Sequence, residues 1–328
     1  MKKNVLFDTS CGSLNMGDYI ICESVERELK EILGNDFLVR IATHTPVTHF
    51  YQNSSANPIY NYCEKADYKF LAGTNILQYQ MFLKRWPNFN VNLFNYMPYK
   101  DTILVGAGSG KNKEKMDMYT KYLYKRIFSK DYIHSTRDRR TKELLESLGL
   151  RAIDTGCATM WCLTEKHCKS IPHSKAESVV FTLTDYKKDA INDLKLLDCL
   201  RKNYKEIFFW PQGSGDYEYL NELTHIDDLL IVPPSVFEFR KLLEEHKDID
   251  YIGTRLHAGI YAMQHQIRSI ILIVDNRTSD MMESYNINAI IRDDVQALED
   301  TINSSFETLI NIDEEKIKKW KAQFEDRP

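Results

Sequence analysis

The chain of 328 residues has no Cys-x-x-Cys pair, no block of like charge, no low-complexity segment and no apolar run longer than the five residues 270–274. Each absence excludes a class. Five apolar residues make a strand, whereas a helical bilayer span needs about 20, so no transmembrane segment is expected. The opening residues, MKKNVLFDTSCG, hold two lysines but only three apolar residues before Asp8, too few for the apolar stretch of a signal peptide. Seven cysteines, at 11, 22, 63, 157, 162, 168 and 199, are an odd number scattered through a chain large enough to build its own cores. Reduced thiols and a cytoplasmic setting follow as expectations, with peripheral association at the inner face of the membrane left open. Lys and Arg number 43 against 47 Asp and Glu, a net charge of −4. Such a balance lacks the basic face or tail of a nucleic-acid binder, and nucleic acid is set aside as a partner. Cys157, Cys162, His167, Cys168 and His173 are soft-metal ligand types, yet none of the recurrent zinc spacings is present, so no metal is expected.

What the chain does have is alternation. Residues 5–7 form a short apolar run, followed by a Ser/Gly/Asn turn and then a helical periodicity through Ile20, Ile21, Val25, Leu29 and Ile32 that Gly34 closes. Further strands are predicted at 37–41, 68–71, 102–105 and 132–135, with a helix over 139–148 stopped by Gly149. Residues 164–178 carry no periodicity and read as a linker. The pattern then restarts, with strands at 179–183, 207–210, 229–232, 251–252 and 270–274 and helices at 190–203, 235–245 and 256–265. Residues 313–328 can form a last helix with Ile317, Trp320 and Phe324 on one face, expected to pack back on the N-terminal domain. The fold class is therefore α/β, with two Rossmann-like domains facing a cleft, 1–163 and, beyond the linker, 179–312. Open parallel sheets bind ligands at the carboxyl ends of their strands, which makes the cleft the expected site.

One glycine-rich stretch fails as a phosphate loop. Gly106-Ala107-Gly108-Ser109-Gly110-Lys111 lacks Gly where a Walker loop needs it, at Val105, and lacks Ser or Thr at Asn112. A tight strand-to-helix turn is the better reading. Three other segments stand out together: Asn15-Met16-Gly17-Asp18 after the first strand, Ser135-Thr136-Arg137-Asp138 before a helix ending in Leu148-Gly149, and Thr254-Arg255-Leu256-His257-Ala258 opening a helix. In this order and spacing the chain resembles the polysaccharide pyruvyl transferase family, over about residues 8–277. The family pattern is an Asn-x-Gly-Asp loop, a Ser-x-Arg-Asp segment and an Arg-Leu-His-Ala helix start. Departures fall at Gln266-Ile267-Arg268, where the family commonly has Gly-x-Pro, at Arg277, where it has Lys, and at Ala72-Gly73-Thr74, where it has a triple-glycine turn.

The resemblance implies a glycosyltransferase type B shape with 1–163 as the acceptor side and 179–312 as the donor side, phosphoenolpyruvate as donor, a saccharide acceptor that is lipid-linked or free, and a pyruvate ketal as product, with no cofactor. It implies Arg137, Arg255 and His257 as catalytic residues, with Leu256 joining them in donor binding. A donor with about three negative charges suits planar guanidinium forks and a positive helix end. His257, in a first helical turn that disfavours its cation, could gain a proton from the bound anion's field and deliver it to the donor. Asn15 and Asp18 are candidates for acceptor hydroxyls, although Asp18 is also explained as a helix N-cap. Asp138 is read as an N-cap alone. Nine tyrosines between 60 and 124 could stack on sugars or simply fill a core. Two rivals stand beside this reading. A nucleotide-sugar glycosyltransferase would carry a ribose-holding Glu before an Ala-x-Gly-x-Pro turn, and residues 262–268 have no carboxylate. A non-catalytic scaffold of glycan assembly would have no reason to keep Arg137, Arg255 and His257. Oligomeric state is not legible.

Overall fold

A computed structural model describes residues 1–82, 87–109, 115–274 and 284–325. The chain divides into two units, one of Met1–Ser13, Ile21–Trp161 and Asp313–Pro328, the other of Leu14–Ile20 and Cys162–Ile312. Residues 14–20 thus group with the second unit rather than with the rest of 1–163. The stretch 164–178 also belongs there. It is not featureless, because Thr164 caps a short helix, Glu165–Cys168, by accepting from the His167 N–H.

In the first unit, β1 (Lys3–Asp8), β2 (Phe37–Ala42), β3 (Tyr68–Ala72) and β4 (Thr102–Val105) form a parallel sheet in the order β2-β1-β3-β4. The period of two sorts their side chains onto two cores. Val5, Phe7, Leu71 and Leu104 join one buried cluster, and Leu6, Phe70 and Ile103 the other. A pair, β5 (His134–Thr136) and β6 (Ala152–Asp154), runs parallel beside them, and an Ala107–Thr136 bridge continues the array. The expected strand at 132–135 begins later than the apolar pattern suggests, because Tyr132 stacks on Phe324 (5.5 Å between centroids) instead of extending the ladder.

The helix Glu314–Ala322 belongs to this unit. Ile317, Trp320 and Phe324 are buried in the cluster with Leu6 and Phe70, and Trp320 Nε1 donates to the Ile133 carbonyl at 2.8 Å. Lys321 pairs with Glu28 and Glu31. Of the nine tyrosines between 60 and 124, Tyr60, Tyr68, Tyr79, Tyr99 and Tyr124 are buried. Tyr99 takes the Val47 N–H and Tyr124 that of Gln78, so these rings fill the core with their hydroxyls satisfied.

The second unit holds β7 (Ser178–Thr182), β8 (Glu206–Phe209), β9 (Leu230–Ile231), β10 (Ile249–Gly253), β11 (Ser269–Ile273) and β12 (Ala289–Ile291) in one parallel sheet, order β12-β11-β10-β7-β8-β9. Among the described residues, helices Ala190–Asn203, Asp216–Leu223, Val236–Glu245 and Leu256–Gln264 connect them, and Val295–Asn303 follows β12. Register fixes the functional edge. Thr182 pairs with Gly253 and Phe181 with Phe209, so the residues that follow β7, β8 and β10 emerge side by side at the carboxyl end of the sheet.

Candidate functional site

At that edge of the second unit, three loops leave neighbouring strands: 183–185 after β7, 210–215 after β8 and 254–255 after β10. Two of them run straight into helices, Asp216–Leu223 and Leu256–Gln264, so two helix N-termini with their positive dipole ends open on the same edge. Arg255, the residue before the second helix, ties the loops together. Its side chain is only 4% exposed. Nε donates to the Leu183 carbonyl at 3.1 Å and to Asp216 Oδ2 at 3.0 Å. Nη2 donates to Asp185 Oδ1 at 2.8 Å and to Asp216 Oδ1. The face of the guanidinium lies 5.0 Å from the Tyr186 ring centre.

Asp216 is the counterpart hub. One oxygen accepts the N–H groups of Gln212 (3.1 Å) and Gly213 (2.7 Å), the other that of Asp185 (3.1 Å). Burial raises its carboxyl above the ordinary value, a cost that the Arg255 fork and the three N–H groups reduce. Burial also works against the Arg255 charge, but hydrogen bonding and attraction from Asp216 outweigh it and raise the guanidinium further. The sequence reading aims the Arg255 fork at a ligand anion. The structure instead places it between two carboxylates, because a guanidinium this deeply buried needs opposite charge beside it.

Gly213 is required here. A Cβ on it would stand 2.3 Å from Arg255 Nη2, so only glycine lets the loop close on the guanidinium. The same loop holds Asn15. Asn15 bridges to Gly213, its Oδ1 accepts from Gln212 Nε2 at 2.9 Å, and Met16 N–H donates to the Gln212 carbonyl at 2.8 Å. The structure therefore brings Asn15 within one loop of Arg255, although 240 positions separate them in sequence.

Asp18 is not the N-cap. The helix Met16–Leu33 begins before it, and Asn15 Oδ1 accepts the Gly17 N–H at 3.0 Å while Asp18 stands half-buried in the first turn. Leu256 and His257, the first two residues of their helix, are both buried, His257 at 3% exposure. Behind them, Tyr251 donates its hydroxyl to the Arg255 carbonyl at 2.8 Å and meets Thr182 Oγ1 at 2.7 Å, so the strand-to-helix corner is fixed from beneath.

Arg137 belongs to the first unit. It follows β5, its backbone N–H donates to the Ala107 carbonyl at 3.0 Å, and its Nη1 reaches Asn75 Oδ1 at 3.4 Å. A Cβ on Gly108 would lie 2.3 Å from Arg137 Cδ, so the glycine-rich turn is cut to fit this side chain. Residues 110–112 of that turn lie outside the described residues, as do Asp275, Asn276 and Arg277. Asp138 caps its helix as expected, accepting from the Thr141 N–H at 2.8 Å. Asp185, Gln212 and Asp216 are the residues that sequence reasoning passes over. The signal for Asp216 is a Gly-Ser-Gly-Asp run directly after an apolar strand, a segment that reads as plain loop but opens a helix.

The other departures are structural. Gln266 adopts φ +63°, the left-handed conformation in which the family's glycine would be unstrained. Arg268 is fully buried, its Nη1 bonded to Asp250 (2.8 Å) and its Nη2 to the carbonyls of Thr301, Ile302 and Ser304 at the end of the helix Val295–Asn303.

The family model for polysaccharide pyruvyl transferase matches residues 15–276. None of the curated proteins matches the chain. Among solved structures, it is similar to S. aureus MnaA in a co-structure with UDP, at 11% identity over 100% of this chain and 99% of that one, TM-score 0.48. It is also similar to UDP-GlcNAc 2-epimerase from Neisseria meningitidis bound to UDP-GlcNAc, at 12% identity over 100% and 95%, TM-score 0.47. A third is the wall teichoic acid polymerase TagF with CDPG, at 12% identity over 98% and 82%, TM-score 0.44.

Proposed function

The chain belongs to the polysaccharide pyruvyl transferase family, a family of transferase enzymes, and on that premise we propose that it moves the pyruvyl group of phosphoenolpyruvate onto hydroxyls of a sugar, forming a pyruvate ketal and releasing phosphate. The observation that carries the reading is His257, buried in the first turn of a helix at the carboxyl edge of a parallel sheet, two residues after the braced Arg255. A charged donor brought to that helix end meets N–H groups pointing outward, and its charge favours the imidazolium form of a neighbouring histidine.

His257 then gives its proton to the donor's methylene carbon, and C2 becomes electrophilic. A sugar hydroxyl forms the O–C2 bond, its proton returning to the imidazole. The C2–O bond to phosphate breaks, phosphate leaves with that electron pair, and a second hydroxyl of the same sugar closes the ketal at C2, its proton passing to the departing phosphate. Nothing is oxidised or reduced, so the scheme calls for no cofactor; the charge on the donor is met by helix N–H groups and guanidinium. Arg255 acts as a positioning residue, holding the 212–216 loop and the helix start in register. Arg137 is assigned to the donor's phosphate or carboxylate on its place in the Ser-x-Arg-Asp segment. Asn15 and Asp18 are assigned to acceptor hydroxyls, with the acceptor's lipid linkage open.

The test is incubation with phosphoenolpyruvate and a panel of glycans, in chelator, following phosphate release and a new ketal methyl resonance. Both signals together support the reading. Tight binding of a nucleotide sugar with no phosphate release would favour the glycosyltransferase instead.

A further inference from the structure

A surface of the first unit, separate from the residues of the candidate site, carries large apolar side chains that no part of the described chain covers. Phe50 (68% exposed), Tyr51, Phe82, Phe94 (76% exposed), Met118 and Tyr122 all face solvent. A series of contacts links them. Phe50 and Phe94 line the same open cavity of about 330 Å³, whose walls are almost wholly apolar. Tyr51 meets Phe50 edge-on at 5.5 Å, and Asn53 Nδ2 donates to the Phe94 carbonyl at 3.2 Å. Leu93 N–H donates to the hydroxyl of Tyr119, against which Phe82 packs at 5.3 Å. Tyr119 leads into the helix Met118–Ile127, which bears Met118 and Tyr122. An apolar surface of this kind marks an interaction site.

Charge says which. The loops that carry Phe50 and Phe94 contain no carboxylate: residues 37–63 have none, and neither do 87–100. The helix beside them carries Lys121, Lys125 and Arg126, with Lys125 and Arg126 exposed. Arg126 lies over the Tyr122 ring, 4.7 Å from its centre, so cation and aromatic face share one edge of the patch. Across residues 79–126 the sequence has nine Lys and Arg against three Asp and Glu, in a chain whose net charge is −4. On the helix Met118–Ile127 itself, three cations and no carboxylate stand with the exposed Met118 and Tyr122.

We propose that this patch docks the protein on an anionic lipid bilayer, the aromatic side chains entering the interface and the helix cations meeting the headgroups. A saccharide groove is the weaker occupant. The amide oxygens of its lining are already engaged within the chain, since Asn95 Oδ1 takes the Asn92 N–H and Asn92 Oδ1 takes that of Phe94. The inference does not rest on the transfer reaction and would hold for any activity of the second unit.

The test is co-sedimentation of the full chain with vesicles of phosphatidylcholine alone and of phosphatidylcholine mixed with phosphatidylglycerol, at low and high salt. Binding to the mixed vesicles, lost at high salt, is expected, with each cation contributing about fivefold. Phe50→Ser with Phe94→Ser, and separately Lys121→Glu with Lys125→Glu, each weaken binding about tenfold or more while the melting temperature stays at the parent's. Equal binding to both vesicle types, unchanged binding in either double variant, or no vesicle binding while a soluble saccharide protects Tyr51 from tyrosine modification, would overturn the proposal.

Discussion

Replacing Arg255 by Lys separates a strut from a ligand clamp. The guanidinium makes four contacts at once, to the Leu183 carbonyl, to both oxygens of Asp216 and to Asp185. An ammonium on a flexible stem is a point charge and can satisfy one carboxylate well, leaving another buried with its charge poorly met. Breaking a buried ion pair outright costs about 3–5 kcal/mol, and retaining the charge while losing the fork brings this to about 2–4 kcal/mol. In a unit of this size 1 kcal/mol moves the midpoint by about 2–4 °C, so the second unit should melt about 5–15 °C earlier. Calorimetry of the variant reads this directly, with phosphoenolpyruvate titrated into the same sample at low temperature. If Arg255→Lys melts within about 2 °C of the parent while donor affinity falls about tenfold, the guanidinium is spent on the ligand and the strut argument fails.

His257→Asn keeps size and some hydrogen bonding but cannot deliver a proton at neutral pH, so donor binding should persist while turnover falls roughly 10²–10⁴-fold; parental turnover in a phosphate-release assay would remove the general-acid role. His134 is buried with Nδ1 taking the Leu104 N–H and Nε2 against the Ser129 carbonyl, and burial pushes it down to about 4. Its folded value lies below the unfolded one, so its contribution is intact above about pH 6.5 and lost as pH falls towards 4, about 3 kcal/mol in all. Urea unfolding between those limits should show that slope in the parent and a flatter one in His134→Gln; equal slopes would mean the imidazole is not held neutral. Gln266→Gly relieves a side chain held at φ +63° and should stabilise the second unit by about 0.5–1 kcal/mol, whereas a lower melting temperature would show the glutamine is needed there.

Most of the strands that sequence reasoning finds have several consecutive buried positions, although β2 and β9 do not. Residues 102–105 and 68–71 read as strands because parallel sheets bury both faces and their members become short apolar runs. β6 and β12 escape because three residues, Ala152-Ile153-Asp154 and Ala289-Ile290-Ile291, half-buried or exposed, carry too little pattern to register. The helix Asp216–Leu223 escapes for a different reason. Its start is Gly-Ser-Gly-Asp, which local propensity assigns to a loop, and only the Arg255 pair and three backbone N–H groups gathered on Asp216 settle it as a helix start.

The site was legible one side at a time. Arg255 and His257 stand out because an arginine and a histidine are placed where a strand turns into a helix, a local property. Their neighbours are not local: Asp216 lies 39 positions from Arg255, Asp185 lies 70, and Asn15 lies 240. Only the parallel register of β7, β8 and β10 makes them neighbours, and register is set by long-range pairing that no window of sequence contains. The same reasoning explains the departures at 266–268. A proline at 268 could not neutralise Asp250 or hold three carbonyls at the end of the helix Val295–Asn303, and here Arg268 does both. Tyr204 donates to the same Asp250 oxygen at 2.7 Å, and the Tyr251 N–H donates to the Arg268 carbonyl at 2.9 Å. These bonds lie at the amino end of β10 and β11, a strand's length from the loop that carries Arg255. The change therefore alters how the second unit is braced and leaves the carboxyl edge, where His257 stands, with the family's Arg-Leu-His-Ala intact.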